Sequence, residues 1–181
     1  MNMLTNTTWP ELKIGAEAKL ERLCVADDLY VFAHASGNVN PMHLPRHDDD
    51  GDGEPEALAP SMWVASLISA VLGNILPGPG TLYRSQSLRF VDRAHAGDKL
   101  TAYVRLVEKG PDRLARFETW VEREGGVRVA EGEAEVTAPD FQQSFDASEV
   151  PGLILQQHVH FDRVLAAAEP LLSLIHISEP T

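Results

Sequence analysis

Residues 61–76 read SMWVASLISAVLGNIL and carry no charge. Apolar side chains recur on nearly every face of the helix this stretch supports, and Ala, Ser and Gly keep its girth small. A helix that is apolar all round is a buried one. Small residues let strands approach it closely, so Ser66, Ser69 and Gly73 read as packing spacers. The PGPG at 77–80 stops the helix, because proline has no amide proton for the next turn.

Working outward, four strand-like segments follow, at 81–91, 99–109, 114–123 and 127–137. They are parted by HAGD, KGPD and EGG, which are turn chemistry. On the other side, residues 9–25 suggest an entry turn and then a strand over 18–25. Asp27 or Asp28 can cap a short helix whose buried face is Leu29, Phe32, Ala33 and Ser36, at i, i+3, i+4, i+7. Gly37 stands where a left-handed C-terminal cap belongs. The succession predicts an α+β domain in which one curved antiparallel sheet, with a meander of four strands, wraps a long central helix.

The totals limit what such a domain can bind. A chain of 181 residues that is 44% hydrophobic can bury a core as one globular unit. A net charge of −12 argues against nucleic acid, which needs a basic face. It still allows an anionic small ligand on a local basic patch. Arg84, Arg89, Arg93 and Lys99 are such a concentration, although a solvated strand edge explains them equally well. The single cysteine, Cys24, cannot form an internal disulfide and reads as a small core residue. With no visible signal peptide and no apolar run of ~20 residues, the expectation is a cytoplasmic protein that does not enter membranes.

Residues 35–43, ASGNVNPMH, begin where the short helix ends. Gly37, Asn38, Asn40 and Pro41 all favour turns, and for the two asparagines that is the commoner use. His34 points off the apolar face and reads as solvated. Asp48, Asp50, Asp52 and Gly53 match the first half of a calcium loop. Pro55 then interrupts it, and Ala59 stands where a bidentate glutamate belongs, so a solvated loop is expected. His158 and His160 alternate like strand metal ligands without further ligands nearby, and no metal site is expected.

The run Phe32-Ala33-His34-Ala35-Ser36-Gly37-Asn38-Val39-Asn40-Pro41-Met42-His43 resembles the loop F-A-x-x-S-G-D-x-N-P-x-H of the MaoC-like hot-dog family, the (R)-specific enoyl-CoA hydratases. Pro60-Ser61-Met62 stands where that family has H-G-M, and Gln86-Ser87-Leu88-Arg89-Phe90 followed by Gly97-Asp98 matches its Q-x-L-x-F strand and G-D turn. More narrowly, residues 67–90 and the HFDRVLAAAE at 160–169 resemble bifunctional enoyl-CoA hydratase/phosphate acetyltransferases. The resemblance implies a hot-dog domain over 1–140. Residues 141–172 would then be a linker and the truncated start of a second, acetyltransferase-like domain, and 173–181 a non-native tail.

The resemblance also implies a reaction: reversible hydration of a trans-2-enoyl-CoA to the (R)-3-hydroxyacyl-CoA. That chemistry needs a base for water, an acid for C2, and donors for the charge on the thioester oxygen. By position, His43 is the acid/base group, Asn38 stands in place of an aspartate, and the Ser61 backbone amide receives the oxyanion. Ser36, Asn40, Pro60, Met62, Trp63, Arg84 and Arg89 are the implied substrate contacts. An amide at 38 orients water but accepts no proton, and the Cβ of Ser61 restricts the backbone where the family has glycine, so activity reduced by Asn38 and Ser61 is expected. No cofactor is implied, coenzyme A entering as part of the acyl-CoA substrate, and the partner is a second copy in a homodimer or larger assembly. The rivals are a non-catalytic acyl-CoA-binding module and a thioesterase. The latter needs a carboxylate at the carbonyl, where Asp27 and Asp28 look more like helix caps.

Overall fold

The computed structural model describes residues 3–46, 48, 51 and 56–150. Strand β1 (Met3–Thr5) is followed by β2 (Glu17–Leu23), helix α1 (Ala26–Ser36) and a 3-10 turn at Pro41–His43. Helix α2 (Ser61–Asn74) comes next, then β3 (Leu82–Phe90), β4 (Lys99–Lys109), β5 (Leu114–Arg123), β6 (Val127–Thr137) and β7 (Ser144–Asp146). The predicted strands and both helices fall within a residue or two of these bounds.

The antiparallel sheet runs β2-β4-β5-β6-β3. Only β4, β5 and β6 form a meander, which corrects the expectation of four consecutive neighbours. β3 pairs with β6, and residues 91–98 carry the chain across to β4, whose other neighbour is β2. Both edges of the sheet thereby reach α2, which packs against β2, β3, β4 and β5. The result is the hot-dog arrangement, a sheet curled round a helix.

The inward positions alternate as a half-buried sheet requires. Leu100, Ala102, Val104 and Leu106 of β4 and Ala115, Phe117, Thr119 and Val121 of β5 are buried against α2. A bulge between Val121 and Glu122 breaks the alternation, so that both Val129 and Ala130 of β6 are buried. On the outer face, Tyr103 and Trp120 stack with ring centroids 4.9 Å apart, and Arg105 and Arg128 cover the indole.

Three local expectations are corrected. Helix α2 is not covered all round: Trp63, Val64, Ala65, Leu67, Ile68, Val71 and Leu72 are buried, while Met62, Ser66 and Ser69 form an exposed stripe. Serine satisfies its hydroxyl there without a strand beside it, and Ser66 Oγ donates to the Trp63 carbonyl. Asp27 and Asp28 do not cap α1, whose cap position is Val25. They lie in its first turn, where a carboxylate complements the helix dipole, and Arg22 grips both oxygens of Asp28. Finally, Ser144–Asp146 pair with Met3–Thr5, so part of the segment read as a linker belongs to the compact unit ending at Glu149. The rest of the 141–172 segment from residue 151 on and the tail read at 173–181, with His158 and His160, lie outside the described residues, as does most of the acidic loop.

Cys24 is fully buried, as expected, and His34 is exposed. No helix among the described residues is long and apolar enough to cross a membrane.

Candidate active site

The site begins at the end of α1. Gly37 takes φ 72°, left-handed as predicted, and its N–H donates to the Ala33 carbonyl. Ser36 Oγ donates to the Phe32 carbonyl (2.6 Å) and accepts the Asn38 N–H (3.2 Å). The Asn38 side-chain oxygen accepts the Asn40 N–H at 3.3 Å, a turn closed by the asparagine on its own backbone. Pro41 then opens the 3-10 turn, and the His43 N–H returns to the Asn40 carbonyl at 2.9 Å.

His43 is pinned from residue 58. Its Nδ1 lies 2.9 Å from the Leu58 carbonyl oxygen, and the Leu58 N–H donates to the Met42 carbonyl. The same short segment pairs on its other side with the β3–β4 connection: Ala59 N–H donates to the Ala94 carbonyl and Ala96 N–H to the Ala57 carbonyl. A carbonyl only accepts, so Nδ1 carries the proton and the neutral ring keeps its lone pair on Nε2.

Residue 59 leads through Pro60 into α2. The Val64 N–H to the Pro60 carbonyl is the first bond of that helix. The N–H groups of Ser61, Met62 and Trp63 therefore precede the intrahelical ladder, at the positive end of the dipole.

These parts meet at a cleft of about 560 Å³. Met42 and His43 line it from the turn, Ser61 and Val64 from α2, and Phe90, Val91, Asp92 and Arg93 from the end of β3. Leu58, Ala59, Ala94 and Val129 complete the wall. His43, the first residue of α2 and several apolar side chains thus share one space. Asp92 is committed elsewhere: Arg123 holds its Oδ2 at 2.7 Å, and Oδ1 accepts the Arg93 N–H.

Of the residues expected at the site, His43 and Ser61 are brought together. Asn38, Ser36 and Asn40 are exposed on the neighbouring turn and are not part of the cleft wall. Pro60 is buried with its carbonyl in the helix, Trp63 is a core side chain, and Met62 is 60% exposed on the outer stripe. Arg84 donates to Thr137 Oγ1 and Arg89 pairs with Glu131. Neither lines this cleft; Arg89 borders a separate groove on the sheet. Leu58, Phe90 and Asp92 were not anticipated. For Phe90 and Asp92 the one sequence signal was position, since Phe90 closes the Q-x-L-x-F strand and 91–93 follow it; Leu58 carried no signal. Among the described residues, no cluster of three or more His, Cys, Asp or Glu is placed to hold a metal.

Comparison with known proteins agrees with the geometry. The model of the MaoC like domain matches residues 7–129. An (R)-specific enoyl-CoA hydratase of Rhodospirillum rubrum is 37% identical over 71% of this chain and 90% of its own length. The enzyme of the same name from Aeromonas caviae is 33% identical over 71% of this chain and 96% of its own. Among solved structures, an unliganded R-hydratase of Pseudomonas aeruginosa superposes with a TM-score of 0.79 at 33% identity, covering 86% of this chain and all of that one. The sheet round a buried helix, the loop ending in His43 and this match across most of the sheet lead to one assignment: the chain belongs to the MaoC-like domain family.

Proposed function

We propose that the protein hydrates trans-2-enoyl-CoA thioesters to (R)-3-hydroxyacyl-CoA, and runs the dehydration in reverse. The observation that carries this reading is the placement of His43 and the α2 N-terminus on one cleft. The names of the relatives, hydratases acting on enoyl-CoA, support it.

The geometry supports the following chemistry. Neutral His43 takes a proton from water at Nε2 as the oxygen attacks C3. Electron density moves from the double bond towards the thioester oxygen, which the Ser61 amide and the helix dipole stabilise. The imidazolium, its Nδ1–H held by the Leu58 carbonyl, returns a proton to C2. Water is divided between C3 and C2, the thioester stays intact, and nothing is oxidised or reduced. Coenzyme A is the only group beyond the acyl chain that the reaction involves. A homodimer or larger assembly fits a sheet whose edge strand β3 exposes Leu82, Tyr83 and Phe90.

A second reading, an acyl-CoA-binding module with weak turnover, is favoured by one observation. Asn38 spends its side-chain oxygen on the Asn40 N–H and supplies no carboxylate. Crotonyl-CoA separates the possibilities when enoyl absorbance and free thiol are followed together. Loss of absorbance without thiol is the expected result. Thiol release would mean a thioesterase, and binding with neither change would mean a module.

A further inference from the structure

We propose that Arg93 binds the phosphate end of the pantetheine carrier on which the acyl group arrives. The inference rests on the thioester reading above and adds the group that recognises its anionic part.

The protein is strongly acidic, at −12, and its described arginines are almost all neutralised or hydrogen-bonded. Arg22, Arg89, Arg105, Arg113, Arg116, Arg123 and Arg128 each meet a carboxylate, and Arg84 meets Thr137 Oγ1. That leaves Arg46 and Arg93 among the described arginines, and of the two only Arg93 lines the cleft that holds His43. It is exposed, and among the described residues its guanidinium has no acceptor. The adjacent carboxylate does not serve it, because Asp92 is held by Arg123 and by the Arg93 backbone N–H. An uncompensated, exposed guanidinium lining a cleft in an acidic protein is placed for an anion from outside.

The reacting end of an enoyl thioester is neutral, so the anion lies at the other end of the carrier. A long pantetheine arm separates the two, which places recognition at the mouth of the cleft while the thioester reaches His43. Guanidinium matches a phosphate with two parallel N–H bonds, a geometry lysine lacks. The phosphate belongs either to the nucleotide end of coenzyme A or to the phosphopantetheine of a carrier protein.

The test compares crotonyl-CoA, crotonyl-phosphopantetheine and crotonyl-pantetheine as substrates for the full chain and for Arg93→Ala and Arg93→Lys. In Arg93→Ala, the ratio of kcat/KM for crotonyl-CoA to that for crotonyl-pantetheine should fall roughly tenfold, the size of one exposed charge-assisted contact. Arg93→Lys should recover part of it. A fall shared by crotonyl-phosphopantetheine places the contact at the phosphate common to both carriers; a fall confined to crotonyl-CoA places it at the nucleotide. An unchanged ratio overturns the proposal. Titration calorimetry with free coenzyme A and with pantetheine keeps the two readings apart. If no substrate is hydrated, weaker coenzyme A binding by Arg93→Ala still upholds the phosphate contact, and equal or undetectable binding refutes it.

Discussion

Leu58 holds the turn that carries His43 by two hydrogen bonds, its carbonyl accepting from the imidazole Nδ1–H and its N–H donating to the carbonyl of the preceding Met42. The ring's tautomer and the path of the loop are thus set by the same residue, three positions before α2 begins. Replacing His43 by Asn keeps a side-chain donor for the Leu58 carbonyl and removes the base. The expected outcome is a loss of ~10²–10⁴ in kcat, as for one positioned acid or base, with binding of crotonyl-CoA retained. Steady-state hydration kinetics and calorimetry measure the two effects; an active His43→Asn would remove the imidazole from the reaction.

Position 38 gives the opposite test. An aspartate there still offers one oxygen to the Asn40 N–H and leaves the second free to polarise water or support an imidazolium. Asn38→Asp should therefore raise kcat, by roughly tenfold or more given what such a group contributes. An unaltered rate in an active enzyme means that Asn38 does no more than close its turn.

Glycine at 132 is imposed by the neighbouring strand. A Cβ there would lie 1.9 Å from the Ser87 carbonyl oxygen, in the β6–β3 ladder that carries Phe90 towards the cleft. Gly132→Ala should destabilise the fold by at least ~1–3 kcal/mol, the usual range for overpacking. At Gly73 in α2 an added methyl meets nothing within 4 Å, so Gly73→Ala should be neutral or stabilise by up to ~1 kcal/mol through helix propensity. Thermal unfolding of the pair, followed by circular dichroism, shows whether their midpoints move in opposite directions.

Cys24 should behave as an inert thiol. Burial, with smaller contributions from Asp28 and Asp98, pushes its pKa from 9.0 up to about 12. Between those values the unfolded chain loses this proton while the folded chain keeps it, so the group's contribution to stability declines as pH rises from about 9 towards 12. A disulfide reagent at pH 8 should leave the native protein unmodified and label it once urea unfolds it. Rapid labelling of folded protein would contradict the buried position.

Much of the architecture can be read locally. The uncharged stretch at 61–76, the turns at HAGD, KGPD and EGG, and Gly37 as a left-handed cap all depend on residues within a few positions of one another. Side-chain period and turn chemistry are properties of that short range, which is why those elements stand where they were expected. His43 and Ser61 were legible as candidates through the motif around them.

The tertiary structure decided the rest. Placing β3 beside β6 and β2 beside β4 depends on hydrogen bonds between segments far apart in the chain, and no local pattern encodes that choice. The same holds for residues 57–59, which have little strand character of their own yet join the His43 turn to the β3–β4 connection. Four basic residues looked alike in sequence; only folding sent Arg84 to Thr137, Arg89 to Glu131 and Lys99 to Glu21 and left Arg93 open on the cleft. A side chain's type states what it can bond to, but which partners remain free is settled when distant segments are packed together.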